Sequence, residues 1–419
     1  MRTFALVLAL FFPLAARAVD SPAVRAEKEY RAKRQAALSA QWLETKLPWE
    51  TPASFLARLI DTAREGDSRA TAALGWEFHQ RGDKERARSW LGKSAERGNR
   101  FAAYLLGVLQ APTDPPDPIG VDWMRRAAEE GLADAQFEIA IRYAQGKQAA
   151  LDLAVAREWY ARAAEQKYAP ALCNLATMEW QGTGGPADLE SAGRHFRAAA
   201  EAGLPQGDFG LGEVLRVQGR YADAAAAYSR AAEVGIVEAD FWLGCFASQG
   251  LVQPRDETEA AKHFLKAALA GHTVSQAIAA DLLARGTGIA ADPEAAARWD
   301  AELQKISDRE LNTTIGGLYL EGRLVKRDFV KALRYFRGAA EQGQPAAQRW
   351  AGALLASGEA GERNLTEAYQ WLWLAARNGQ RDAEPAFQSV LQAMSGDQII
   401  EAAKRAEQFQ PSAPAATQP

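Results

Sequence analysis

The sequence predicts an all-α protein built from stacked helix–turn–helix units, and three observations carry that prediction. A short motif, Ala-Ala-Glu-x-Gly or a near relative, closes at Gly66, Gly98, Gly131, Lys167, Gly203, Gly235, Gly271, Gly343 and Gly379. Its successive steps are 32, 33, 36, 36, 32, 36, 72 and 36 residues, and the step of 72 holds a worn copy anchored at Ser307. Small side chains recur at fixed offsets inside the steps, whereas β-branched runs are scarce. A chain of 419 residues is too long for one compact core. A solenoid escapes that limit, because each unit packs only on its neighbours.

Taken from the N-terminus, the first element reads as an export signal. Arg2 supplies a positive start, Phe4 to Leu14 an apolar run, and Ala16-Arg17-Ala18 a small-x-small site with cleavage after Ala18. The apolar run is short for a membrane span, and no other long one follows, so no span is expected once residues 1–18 are removed. The first cysteine, Cys173, is far from the cut, which disfavours a lipid anchor. Removal takes away two arginines and moves the formal charge from 49 − 53 = −4 to 47 − 53 = −6. Mild acidity argues against duplex nucleic acid as a partner, because a basic face supplies most of that affinity. The expected location is periplasmic or secreted.

Residues 19–55 are predicted to form an N-terminal capping helix. Helix formers with interleaved charges (Arg25, Glu27, Lys28, Arg31, Lys33, Arg34) lead to Trp42 and Leu43, and the helix is expected to cover part of the first unit, as solenoid ends require. Residues 56–390 hold about nine full units. Residues 391–410 read as a C-terminal helix, and the Pro- and Ala-rich segment 411–419 as a disordered tail.

Within a unit, a small side chain stands four residues after the anchor, as at Ala70, Ala102, Ala135 and Ala171, and Gly or Ala nine after it, as at Gly75, Gly107, Gly212 and Gly244. Glycine inside a helix costs roughly 0.5–1 kcal/mol relative to alanine, so its recurrence predicts close approach of a neighbouring helix. A glycine-bearing turn follows. The second helix then starts near Asp152, Asp188, Asp256, Asp292, Asp328 or Asn364, all good N-cap residues. Eight residues before the closing anchor lies a slot filled by Trp90, Trp123, Trp159, His195, Ala227, His263, Trp299, Tyr335 or Trp371, predicted to be the bulky knob of each unit.

The segments ADAQFEIAIRYAQGKQAALDLAVAREWYARAAEQ and TIGGLYLEGRLVKRDFVKALRYFRGAAEQG resemble the Sel-one-like repeat, a relative of the tetratricopeptide repeat. The shorter LGEVLRVQGRYADAAAAYSRAAEVG resembles a tetratricopeptide unit proper. The resemblance covers about residues 56–390. It implies a right-handed α-solenoid with a scaffold or adaptor role, and no catalytic residues. Two departures stand out: the proline-rich loop Pro112 to Pro118 and the worn unit near Ser307, where the superhelix is open to kinking.

No metal, cofactor or catalytic site is expected. His195 and His263 occupy the bulky slot, and no H-E-x-x-H or C-x-x-C spacing exists. The glycines at Gly182 and Gly286 lack the rest of a phosphate loop. By analogy with tetratricopeptide helices, Trp76, Tyr104, Phe137, Phe209 and Phe241 are candidate groove residues, with packing between helices as the competing role. The expected function is an exported scaffold that binds a protein or peptide in its groove. A binder of cell-wall peptide or glycan is the alternative, and an enzyme using the solenoid as a platform a third possibility. Cys173 and Cys245 are expected to form no intramolecular disulfide, since a whole unit separates theirs.

Overall fold

The computed structural model describes residues 22–42, 46–110, 118–146, 150–361 and 363–412. The export signal with its cleavage site, Leu43 and most of the loop from Pro112 lie outside the described residues. Among those described there are helices and no strand. Contacts divide them into two compact units, 22–236 and 237–412, each a run of α-solenoid.

The N-terminal unit starts with α1 (Pro22–Trp42) and α2 (Pro52–Arg64). Pairs of A and B helices follow: α3 (Ser68–Gln80) with α4 (Lys84–Glu96), α5 (Arg100–Gln110) with α6 (Pro118–Glu129), and α7 (Ala133–Gln145) with α8 (Leu153–Glu165). Next come α9 (Ala169–Gln181) with α10 (Leu189–Glu201), and α11 (Pro205–Val217) with α12 (Tyr221–Glu233). The C-terminal unit continues the series with α13 (Val237–Gln249), α14 (Glu257–Leu269), α15 (Thr273–Arg285), α16 (Pro293–Leu303) and α17 (Arg309–Glu321). It closes with α18 (Phe329–Glu341), α19 (Pro345–Ser357), α20 (Leu365–Arg377), a 3₁₀ turn at Arg381–Ala383, α21 (Glu384–Ala393) and α22 (Gly396–Gln408).

The closing motif is a helix stop. The amide three residues past the last helical residue reaches back to the first alanine of the motif: Leu132 N donates to Ala127 O at 3.0 Å, Leu204 N to Ala199 O at 3.0 Å, and His272 N to Ala267 O at 2.9 Å. This is a Schellman cap, and it places the anchor at positive φ, from 81° at Gly343 to 100° at Gly66. Lys167 sits in that conformation at φ 59° and is the one non-glycine among the described residues to do so. The B helices start where the sequence predicts. Asp152, Asp188, Asp256, Asp292, Asp328 and Asn364 each accept an amide of the first turn.

Close approach of A to B is confirmed, but the knob differs from the predicted slot by one residue. A Cβ on Gly75 would meet Leu91 at 2.8 Å, on Gly212 Tyr228 at 2.6 Å, on Gly244 Phe264 at 2.8 Å, and on Gly352 Leu372 at 2.6 Å. The inserted residues thus follow Trp90, Ala227, His263 and Trp371. Trp90, Trp123, Trp159 and Trp299 are half-buried beside the knob, and Lys93, Arg126 and Arg162 lie over the first three rings. In the worn unit the knob position is Asp300. It pairs with Lys331 at 2.8 Å in place of filling a core.

The ends also differ from expectation. Pro411 and Ser412, placed by the sequence in a disordered tail, are seated. Ser412 N donates to Glu341 O at 2.8 Å and Pro411 lies against Gly343. Residues 413–419 lie outside the described part. Helix α1 does not simply cap the first unit, and where it runs defines the site.

Candidate functional groove

In the N-terminal unit the A helices α9 and α11 touch directly, a closeness that successive B helices do not match. The A side is therefore the inner side of the curve, and α1 lies on it. Leu38 is buried in the hydrophobic cluster that includes Phe55, Leu59, Ala72 and Leu105. Further back along α1, Arg34 Nε donates to Asp134 Oδ2 at 3.0 Å and Arg31 Nη1 to Glu138 Oε1 at 3.0 Å. Tyr30 Oη accepts the free first-turn amide of α9, Ala169 N, at 3.1 Å. The N-terminal end of α1 reaches α11. One helix thus crosses the inner faces of several units.

Aromatic rings line the floor under these arginines. The Arg31 guanidinium stands 4.9 Å from the Phe137 centroid and that of Arg34 5.3 Å from Tyr168. Tyr30 meets Tyr168 edge-on at 5.7 Å. Arginine over an aromatic face gains both cation–π attraction and stacking area. Burial raises the Asp134 carboxyl above its ordinary range, with Arg34 working against the rise. Burial also pushes the Tyr104 hydroxyl up, and the negative charges of Glu138 and Asp134 add to it.

The five predicted groove residues fall in different places. Phe137 is buried beneath Arg31, packed between Tyr160 and Tyr168 at 5.6 and 5.1 Å. Tyr104 on α5 is half-buried and stacked on Phe101. Trp76 on α3 is half-buried beside His79. Phe209 is half-buried on α11, the helix that α1 reaches, with Tyr228 at 5.8 Å. Phe241 belongs to the C-terminal unit and is packed with Trp242, Phe264 and His272. The structure therefore brings Tyr104 and Phe137 to the floor beneath α1. It adds Asp134, Glu138 and Tyr168, which sequence reasoning did not single out.

The histidines tie helices together. His195 Nδ1 lies 2.8 Å from Glu179 Oε2, and Ser191 Oγ donates to the other carboxylate oxygen at 3.0 Å. His263 Nδ1 lies 2.9 Å from Asp240 Oδ1, whose second oxygen pairs with Lys266 at 2.8 Å. Each cluster joins an A helix to its B helix through a buried carboxylate. Cys173 and Cys245 are both buried and neither is in a disulfide, and burial raises the Cys173 thiol. No helix of the described residues is long and apolar enough to cross a membrane.

Comparison with known proteins finds one repeat in most of these helix pairs. The family model of the Sel1 repeat, the Sel-one-like repeat of the sequence reading, matches residues 68–99, 101–132, 133–168, 169–204, 237–272, 274–299, 315–344 and 345–380. It passes over 205–236, the shorter tetratricopeptide-like unit, and 300–314 around the worn anchor. An uncharacterised protein of Neisseria meningitidis serogroup B is 25% identical over 305 residues, covering 72% of this chain and 55% of that protein. An F-box protein of Arabidopsis thaliana is 28% identical over 93 residues, 22% of this chain and 26% of its own length. The chain thus spans about half the length of the first relative and about a quarter of the second. Among solved structures, a Sel1 repeat protein from Oxalobacter formigenes is 25% identical with a TM-score of 0.52, over 84% of this chain and 97% of that one. The protective antigen c5321 of uropathogenic Escherichia coli, described as an SLR fold, is 24% identical with a TM-score of 0.48, over 84% and 94%.

Proposed function

The chain belongs to the Sel1 repeat family, and from that premise we propose that it is an exported scaffold that holds a protein or peptide in the inner groove of its N-terminal unit. One observation carries the reading: that groove already receives a helix, gripped by Arg31 on Glu138 and Arg34 on Asp134 over a floor of aromatic rings. A surface built to hold one helix by side-chain contacts has the chemistry to hold another. The polar clusters at His195 and His263 are joints between helices, which supports a binding role over a catalytic one.

Export rests on the signal-like segment ending at Ala18, and N-terminal sequencing of protein from a periplasmic extract should start at Val19. For binding, a photo-crosslinking phenylalanine analogue at Phe209, on the inner side, should give one discrete adduct. The same analogue at Trp159, on a B helix, should give none. Equal adducts at both positions, or an adduct at Trp159 alone, would reject the groove as the binding surface.

A further inference from the structure

Helix α1 shows what the groove selects. It carries five basic side chains (Arg25, Lys28, Arg31, Lys33, Arg34) against two acids (Glu27, Glu29). Of its described side chains, Leu38 alone is buried. Burial of one leucine is a weak hold for a helix of 21 residues. The specific grip comes from Tyr30, Arg31 and Arg34. The two guanidinia stand over Phe137 and Tyr168 and pair with Glu138 and Asp134, while Tyr30 caps the start of α9. Partly exposed ion pairs contribute little net stability but discriminate sharply against the wrong charge.

We propose that the groove takes a basic helical segment of a partner protein, with an aromatic residue followed by arginines spaced three apart, in the place held by residues 22–42. Helix α1 is then an internal stand-in, tethered to the groove and displaced by the partner. The proposal rests on the groove reading above and names the chemistry of its occupant. Complementary charge supplies selection: the groove offers Asp134 and Glu138 where α1 offers Arg34 and Arg31. The tether supplies a high effective concentration, so a free helix of the same sequence competes poorly with the docked one. A partner helix with the same two arginines and more apolar area on its inner face would win.

The test uses the full chain, the full-chain variant Arg31→Glu with Arg34→Glu, and a labelled synthetic peptide of residues 22–42. Helical circular dichroism of the variant should fall by no more than the share of the one released helix of 21 residues. In fluorescence anisotropy the peptide should bind the variant at least about ten-fold more tightly than wild type, because the internal competitor has been released. A peptide with the same two arginines changed to glutamate should not bind the variant. Adding Asp134→Arg and Glu138→Arg to the variant swaps both pairs, so α1 should dock again and peptide binding should fall back to the wild-type level. Equal binding of both peptides, or no binding of the native one, would overturn the basic-helix assignment. Discrete crosslinking at Phe209 would then still stand for a groove that takes something else. A wild-type dimer that becomes monomeric in the Arg31→Glu, Arg34→Glu variant would assign the place to a second copy's helix, and so overturn a foreign partner.

Discussion

Gly316 lies so close to Phe336 that a Cβ on it would sit 2.9 Å from the ring's Cδ1, whereas nothing stands within 4 Å of the same position on Gly317. Neighbouring glycines in one helix should therefore respond to alanine with opposite signs. Gly316→Ala forces Phe336 off its packing and should cost about 1–3 kcal/mol. Gly317→Ala should gain roughly 0.5–1 kcal/mol from helix propensity. Leucine at Gly107, Gly212 or Gly244 should be worse than alanine at Gly316, because backbone of Gly120 or a ring of Tyr228 or Phe264 stands within 2.8 Å. Chemical denaturation of the Gly316 and Gly317 variants checks the pair, and shifts of the same sign would show that close approach is not what the repeat glycine serves.

What was legible in the sequence follows from what is local. The Schellman stop, the Asp or Asn caps and the A-helix glycines are each fixed within one unit, so their repetition along the chain makes them unmistakable. Judged by size, the knob falls one residue early, because Trp90, Trp123 and Trp159 are the largest side chains nearby. Size alone does not say which side of a helix faces inward. Leu91, Met124, Tyr160, Phe196, Tyr228, Phe264 and Phe336, one position on, are the consistently apolar and buried set. The groove was harder to read. Arg31 and Arg34 look like a solvated, charged helix face, and their partners lie 107 and 100 residues away. No local pattern carries that pairing.

Lys167 holds a backbone shape that eight other anchors give to glycine. A side chain in the left-handed region costs about 1–2 kcal/mol, part of which glycine returns as entropy in the unfolded chain. Lys167→Gly should raise stability by roughly 0.5–1 kcal/mol, and a lower denaturation midpoint would contradict this account of the motif.

Two buried tyrosines should also part company. Tyr228 Oη donates to Glu213, a buried carboxylate that also accepts from Arg216 at 3.0 Å. Tyr228→Phe leaves Glu213 short of a donor and should cost about 1–3 kcal/mol. The Tyr319 hydroxyl is buried with no hydrogen-bond partner among the described residues, so Tyr319→Phe should be neutral or gain about 0.5–1 kcal/mol. Thermal melts of the two variants measure the contrast.

His272 caps α15, its Nδ1 accepting from Ser275 N at 3.2 Å. Burial lowers its imidazole to about 4. Between that value and the ordinary 6.5 the unfolded chain binds the extra proton and the folded chain does not. The contribution is therefore complete above pH 6.5 and lost as pH falls toward 4. The loss should be about 1–2 kcal/mol, below the full linkage value because the ring keeps part of its surface in water. His272→Asn keeps a cap acceptor without the titration. Urea midpoints for wild type and variant should converge as pH falls from 7 to 4.5, and parallel curves would remove His272 from the acid limb.

Asp134 gives a direct report on the docked helix. Burial raises its carboxyl, and Arg34 opposes the rise. Arg34→Gln removes the opposing charge while Tyr30 and Arg31 keep their contacts at Ala169 and Glu138. The Asp134 midpoint, followed by carboxyl-carbon NMR against pH, should therefore move further up. An acid raised in the folded state stabilises below its unfolded value and loses that contribution as pH rises through the folded one. The variant should thus be weakened more at neutral pH than in mild acid. With both arginines changed to glutamate, α1 leaves, water reaches the carboxylate, and the midpoint should fall back toward the ordinary range. Opposite movements in the two variants would tie Asp134's burial to the presence of α1. A fall in both would mean that Arg34 alone holds the helix in the groove, and no movement in either would mean that Asp134 is buried by its own unit.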